Sequence, residues 1–323
     1  MAITQNFKEQ ALKQIINRRE KAEFIAEQIK TELSNKIPEF YNLMNEQKAN
    51  TTSLLDAIIH GADIDTINNI KNNFAVLKEK QSKLLISNGY PEDLLEPKYE
   101  CNICNDTGIA ENGKECICLK KIRNRLRYSA YCKEFPLDEH SFDSFSLEYY
   151  KGEKECAKMQ SVLNSCKEYA LNFNGSMKNL LLCGGTGLGK THLSLSIANN
   201  IISKGYNVLY NSAQNFLNAI QQETFGKSYS NVTENVLNCD LLILDDLGVE
   251  FSTQFSVSNV YNIINTRLIN KRSTIINTNL SIEEIEEKYG QRVFSRLIGE
   301  YQWLNFVGKD IRIQKKLNGS NNS

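Results

Sequence analysis

The chain has 323 residues with 38 basic and 38 acidic side chains, a formal net charge of +0. That balance excludes a strongly basic nucleic-acid coat, though a local DNA-facing patch stays compatible with it. Its length suits about two domains, and 41% hydrophobic residues supply a real core. The start, MAITQNFKEQALKQIINRR, has no signal-like apolar segment and no stretch reaches membrane-spanning length, so the expectation is a cytoplasmic protein with no membrane partner.

Residues 1–95 read as a helical, partner-binding region. Apolar residues recur every three or four positions through NFKEQALKQIINRREKAEFIAEQIKTEL and again through TSLLDAIIHGADIDTINNIKNNFAVLKEKQSKLLIS. The pattern fits a small bundle or hairpin; it does not identify the partner. NGYPEDLLEPKYE, with Gly89, Pro91 and Pro97, is a turn-rich junction.

Residues 96–127 hold a cysteine cluster and a basic helix. Cys101, Cys104, Cys116 and Cys118 are arranged C-x2-C-x11-C-x-C. Four thiolates in so short a span can surround one tetrahedral Zn²⁺, with NDTG and ENG supplying the turns. The C-x-C pair is tighter than the usual knuckle, so an Fe–S cluster or structural thiols remain alternatives. LKKIRNRLRYSAYCKEF then reads as a helix bearing Lys120, Lys121, Arg123, Arg125 and Arg127. Residues 128–152 form a connector.

From 153 to 315 continuously apolar strands alternate with helices, which predicts a parallel sheet covered on both faces. Strands are expected at KNLLLCG, YNVLYNS, CDLLILDDLG, RSTIINTN and YQWLNF, and GKSYSNVTENVLN reads as a polar connection. Residues 316–323 read as a flexible tail.

GGTGLGKT fits the phosphate-loop pattern between a strand and a helix. Gly184, Gly185, Thr186, Gly187, Leu188 and Gly189 would wrap a nucleotide's phosphates, with the helix N-terminus adding oriented N–H groups. Lys190 would reach the outer phosphates and the Thr191 hydroxyl would meet Mg²⁺. In LLILDDLG, Asp245 closes a strand where it can hold Mg²⁺, and Asp246 can orient or polarise a water; the competing reading is a helix cap. The two halves together predict binding of ATP. Asn279 ends the strand STIINTN, where an amide can hold water against the γ-phosphate or simply cap the next helix. Arg292 and Arg296 lie four apart on one helical face, open to a catalytic role in trans or to ordinary salt bridges.

These residues carry a resemblance. GGTGLGKTHLSLSIAN, LLILDDLG, STIINTNLS and GQRVFSRLIGE together resemble the AAA+ ATPases of the DnaC/DnaI helicase-loader and IstB-like group. The resemblance implies an α/β AAA+ P-loop domain with a central parallel sheet, behind a variable helical N-terminal region and a small zinc-binding-like module. It implies ATP hydrolysis to ADP and phosphate, slow and partner-regulated. Gly184, Gly189, Lys190 and Thr191 match the phosphate loop, Asp245 and Asp246 the acidic pair, and Asn279 the γ-phosphate sensor. Arg296 matches the finger arginine that acts in a neighbouring copy, with Arg292 as second choice. No full helical lid follows, so its sensor arginine should be absent, and Arg312 is no obvious replacement. The implied activity is delivery of a replicative hexameric helicase to single-stranded DNA. IstB-like relatives instead assist a transposase, and a weakly hydrolysing adaptor is a further alternative. Weak DNA contact is expected around Phe225, Lys227 and Tyr229, where core packing of the aromatics competes.

Overall fold

A computed structural model describes residues 6–132, 136–226 and 231–320. Two compact units emerge, residues 12–114 and residues 1–11 with 115–323.

The smaller unit is helical. Helices α1 (Phe7–Lys36), α2 (Pro38–Ile59) and α3 (Ile64–Ser87) carry the periodic segments. Pro38 opens α2, where its missing N–H costs nothing. Asp63 caps α3 by accepting from the Thr66 amide at 2.7 Å. Helices α2 and α3 pack together, and a small core gathers Leu33, Ile37, Phe40, Leu85 and Leu95.

The larger unit contains α4 (Ile117–Tyr131), α5 (Glu153–Asn172), β1 (Asn179–Cys183), α6 (Lys190–Ser203), β2 (Val208–Ser212), α7 (Ala213–Thr224) and α8 (Val232–Asn238). It continues through β3 (Leu241–Leu247), α9 (Gln254–Ile269), β4 (Ser273–Thr278), α10 (Ile282–Tyr289), α11 (Gln291–Glu300), β5 (Tyr301–Asn305) and α12 (Ile311–Ser320). All five expected strands form. Beginning at Glu115, this unit also takes in the basic helix and the connector upstream of residue 153. The reason is packing: α4 lies against β2 and α6, its Leu119 and Tyr128 are buried, and Asn124 donates to the Gly205 carbonyl at 2.8 Å.

Two segments differ from their sequence reading. The polar stretch after α7 contains a helix, α8, because Val232 and Val236 fall four apart and bury together. The region from 316 is helical as far as Ser320, as the last part of α12.

The strands form one parallel sheet in the order β2-β3-β4-β1-β5. This is the AAA+-type arrangement. Alternation along each strand sends residues to opposite faces. Leu180, Leu182, Val208, Tyr210, Leu241, Ile243 and Ile275 join the core under α5 and α6. Leu181, Leu209, Leu242, Leu244 and Ile276 join the core under α7 to α11. Helix starts are locally encoded: Thr253 with Ser256, and Ser281 with Glu284, form capping boxes at α9 and α10.

Arg267 of α9 is fully buried in this second layer. Its guanidinium donates to the carbonyls of Val236 (2.7 Å), Leu237 (3.2 Å), Cys239 (3.1 Å) and Ser273 (2.6 Å), and to the Thr274 hydroxyl (3.0 Å). One planar cation thereby satisfies the carbonyl end of α8 and the start of β4. Arg267→Met strands those acceptors and should cost about 3 kcal/mol or more. That corresponds to a fall in melting temperature of about 6–12 °C for a unit of this size. Calorimetry finding a melting point within about 2 °C of the parent would contradict this account.

Candidate nucleotide-binding site

The strand order brings the candidate residues together. Strands β1, β4 and β3 are neighbours, so the phosphate loop, Asn279 and the acidic pair leave the same edge of the sheet side by side. Ligands of parallel sheets gather beyond the strand C-termini for this reason.

Positive φ angles let the loop wind back on itself at Gly187 (+74°) and Gly189 (+87°). A side chain at Gly187 would strike the Asp310 carboxylate at 2.1 Å, and one at Gly189 would strike the Phe145 ring at 2.7 Å. Lys190, only 5% exposed, points its ammonium back under the loop. It donates to the carbonyls of Gly184 (2.6 Å) and Gly185 (2.7 Å) and to Asn279 Oδ1 (2.6 Å). Burial holds the Lys190 pKa below its ordinary value, against the opposing pull of Asp246 and Asp245.

The two carboxylates diverge. Asp245 is buried (3% exposed); the Thr191 hydroxyl donates to its Oδ2 at 3.0 Å, and the Tyr210 hydroxyl donates to the same oxygen. Pairing of β3 with β4 shifts register between Leu244 and Leu247, and Asp246 adopts φ +51°. The irregularity turns the second carboxylate out of the sheet's alternation. Asp246 therefore lines the cleft with Lys190 and Asn279. Burial, then the neighbouring Asp245 charge, raises its pKa above the ordinary carboxylate value, while Lys190 and Arg312 oppose the rise.

The cleft, about 380 Å³, is lined by Thr186, Gly187, Leu188, Gly189, Lys190 and Thr191 of the loop. Its other walls come from the connector and from α12. The connector contributes His140, Phe145 and Tyr149, and α12 contributes Ile311, Arg312 and Lys315. Tyr150 ties the connector to the loop by donating to the Leu188 carbonyl at 2.9 Å. Helix α12 is tied to it where the Ile311 amide donates to the Gly187 carbonyl at 3.0 Å. Neither wall was visible as a motif; the clustered aromatics of SFDSFSLEYY were the one signal of a packed connector. Arg312, with no obvious role in the sequence, faces the same cleft as Lys190.

Arg292 and Arg296 do not line this cleft. Arg292 is exposed. Arg296 is held in a fixed pose: it donates to Asn265 Oδ1 (3.0 Å) and the Tyr261 hydroxyl (3.1 Å), and its guanidinium lies 4.8 Å from the Tyr261 ring centroid. Of the expected DNA-facing residues, Phe225 is 64% exposed rather than core-packed; Lys227 and Tyr229 lie outside the described residues.

The ligand atoms of Cys101, Cys104, Cys116 and Cys118 all lie within 4.8 Å of one another. Zn–S bonds of about 2.3 Å in a tetrahedron place sulfurs roughly 3.8 Å apart, so the donor set fits a metal ion. In the first knuckle the Asn105 amide donates to the Cys101 carbonyl at 2.8 Å. Buried Asp106 accepts from the Cys101 amide at 3.2 Å and from Arg18 at 2.7 Å, bracing the loop that presents two of the thiols.

A family model described as IstB-like ATP binding protein matches residues 120–318. The replicative helicase loader DnaC of Buchnera aphidicola subsp. Baizongia pistaciae is 32% identical over 186 residues, 56% of this chain and 71% of that protein. The loader of the same name from Escherichia coli K12 is 29% identical over 165 residues, 50% of this chain and 66% of that protein. The chain thus spans about two thirds of the length of these curated relatives. A crystal structure of the DnaC helicase loader is 24% identical with a TM-score of 0.48, covering 53% of this chain and 98% of that one. The chain belongs to the IstB-like ATP-binding protein family and is homologous to the DnaC replicative helicase loaders.

Proposed function

We propose that the protein is an ATP-dependent loader that delivers a hexameric replicative helicase to single-stranded DNA. One observation carries the ATPase part: Lys190, Asn279 and Asp246 converge on one cleft, with Asp245 set behind Thr191. The loading role rests on the homology to the DnaC proteins.

The residues fit a nucleoside triphosphate with Mg²⁺. The loop of residues 184–189 has space only for glycine at its tight points, and Lys190 already directs a cation to it. Thr191 and Asp245 offer a hydroxyl and a carboxylate, the oxygen donors Mg²⁺ prefers. When bound, Mg²⁺ would neutralise charge on the outer phosphates. In this reading the loop amides and Lys190 bind the phosphates, Asn279 orients the attacking water, and the Asp246 carboxylate draws on its proton. Aromatic and aliphatic walls of the cleft exclude bulk solvent from the reacting atoms.

Arg296 is assigned to the site of a neighbouring copy. Its absence from its own cleft and its braced pose on Tyr261 and Asn265 support that role. Arg292, four residues away, is the second choice. The four cysteines are assigned to one structural Zn²⁺. Single-stranded DNA binding is assigned as weak, in keeping with the neutral net charge.

Native mass measurement of the protein mixed with its own organism's replicative helicase should give a defined complex whose population changes between ATP and ADP. No complex in either nucleotide, with both proteins folded, would sink the loader reading. Asp246→Asn and Arg296→Ala should each keep nucleotide affinity within about threefold while lowering turnover by tenfold or more, on the order expected for loss of a water-activating or finger group. An unchanged rate per subunit would remove that residue from the scheme. Elemental analysis should find one zinc per chain, and a strong chelator should lower the melting temperature; purified protein without stoichiometric metal would reject the zinc assignment.

A further inference from the structure

Asp245 is held by more than its motif partner. Its Oδ2 accepts from Thr191 Oγ1 at 3.0 Å and from the Tyr210 hydroxyl. Its Oδ1 accepts from Asn277 Nδ2 at 2.7 Å. The same amide donates to Ser194 Oγ at 2.9 Å, and Ser194 Oγ donates to the Thr191 carbonyl at 3.1 Å. Tyr210 and Asn277 are fully buried and belong to neither the phosphate loop nor the acidic pair.

Sheet geometry places them there. Tyr210 stands on β2, paired with Ile243, two residues before the Ser212 partner of Asp245. Asn277 stands on β4, two residues after Ile275, which itself pairs with Ile243. Residues two apart share a face, so Tyr210, Asp245 and Asn277 all turn towards α6. The clamp is therefore built from both strands that flank β3. Tyr210 is backed in turn by the packing of α4 on β2; Tyr128 of α4 is buried, and its hydroxyl accepts from Cys132 Sγ at 3.3 Å.

A buried carboxylate needs donors on both oxygens, and those donors fix its orientation. Thr191 has a competing duty, because its hydroxyl is also the expected Mg²⁺ contact. Tyr210 and Asn277 do not themselves line the cleft. We propose that Tyr210 and Asn277 are positioning residues that hold the Asp245 carboxylate in the orientation that receives Mg²⁺. This rests on the reading of Asp245 as the metal carboxylate. Outer partners of metal ligands commonly set metal affinity by 10–100-fold.

The test uses the full chain and a fluorescent ATP analogue, titrated first in EDTA and then with increasing Mg²⁺. Tyr210→Phe keeps the ring and removes the donor. It should leave binding in EDTA within about twofold of the parent and raise the Mg²⁺ half-point about tenfold. Asn277→Leu should shift the half-point in the same direction, and it serves if Tyr210→Phe does not fold. An unchanged half-point in a folded variant overturns the proposal. So does an equal loss of affinity with and without Mg²⁺, which marks a purely structural role. Asp245→Asn separates the two layers. If it abolishes the Mg²⁺ effect while Tyr210→Phe leaves it intact, only the positioning role fails. If Asp245→Asn itself leaves the half-point unchanged, the metal assignment fails and the proposal with it.

Discussion

The ammonium of Lys190 holds the site in register. Buried beneath the loop, it meets two backbone carbonyls of that loop and the side-chain oxygen of Asn279, and among the described residues no carboxylate pairs with it. Taking a cation out of water is costly unless its protons all find acceptors. Three acceptors at 2.6–2.7 Å meet that requirement, and they lie on the segments leaving β1 and β4. The lysine thus joins two neighbouring strands at their C-terminal ends. Three protein oxygens are gathered on the charge, and burial makes the ammonium more readily neutralised.

The adjacent carboxylates show how one dipeptide serves two purposes. Regular strand geometry would send Asp245 and Asp246 to opposite faces. The register shift and the positive φ at Asp246 modify that alternation. Asp245 stays in the sheet's interior, where β2, β4 and α6 each supply a donor. Asp246 emerges in the cleft, raised in pKa by burial first and then by the neighbouring Asp245 charge. A left-handed non-glycine residue costs energy, and here it occurs at a carboxylate that lines the cleft.

The cleft's remaining walls are long-range. Connector residues Phe145 and Tyr149 come from before β1, and Ile311 and Arg312 come from the last helix. Tyr150 and Ile311 bind these two segments to the phosphate loop itself. The loop is thereby enclosed by parts of the chain more than a hundred residues apart in sequence. On α9, Arg267 performs a different task, joining α8 to β4 through backbone carbonyls and the Thr274 hydroxyl.

The sequence by itself determined the local chemistry: the glycine loop before Lys190, the apolar runs that become β1, β3 and β4, and the four-cysteine spacing. These signals are short-range, because a phosphate loop, a buried strand and a metal knuckle are each specified within about 20 residues. Helix α8 was hidden because its polar composition masks two valines four apart. Tertiary structure decided what spacing cannot express. Strand order placed β4 between β1 and β3, which is why Asn279 meets Lys190. It also turned Tyr210 and Asn277, unremarked as motifs, onto Asp245, and brought Arg312 of α12 to the cleft. Those contacts span 30 to more than 100 residues. They depend on how helices and strands pack, and no local pattern of residue types records that packing.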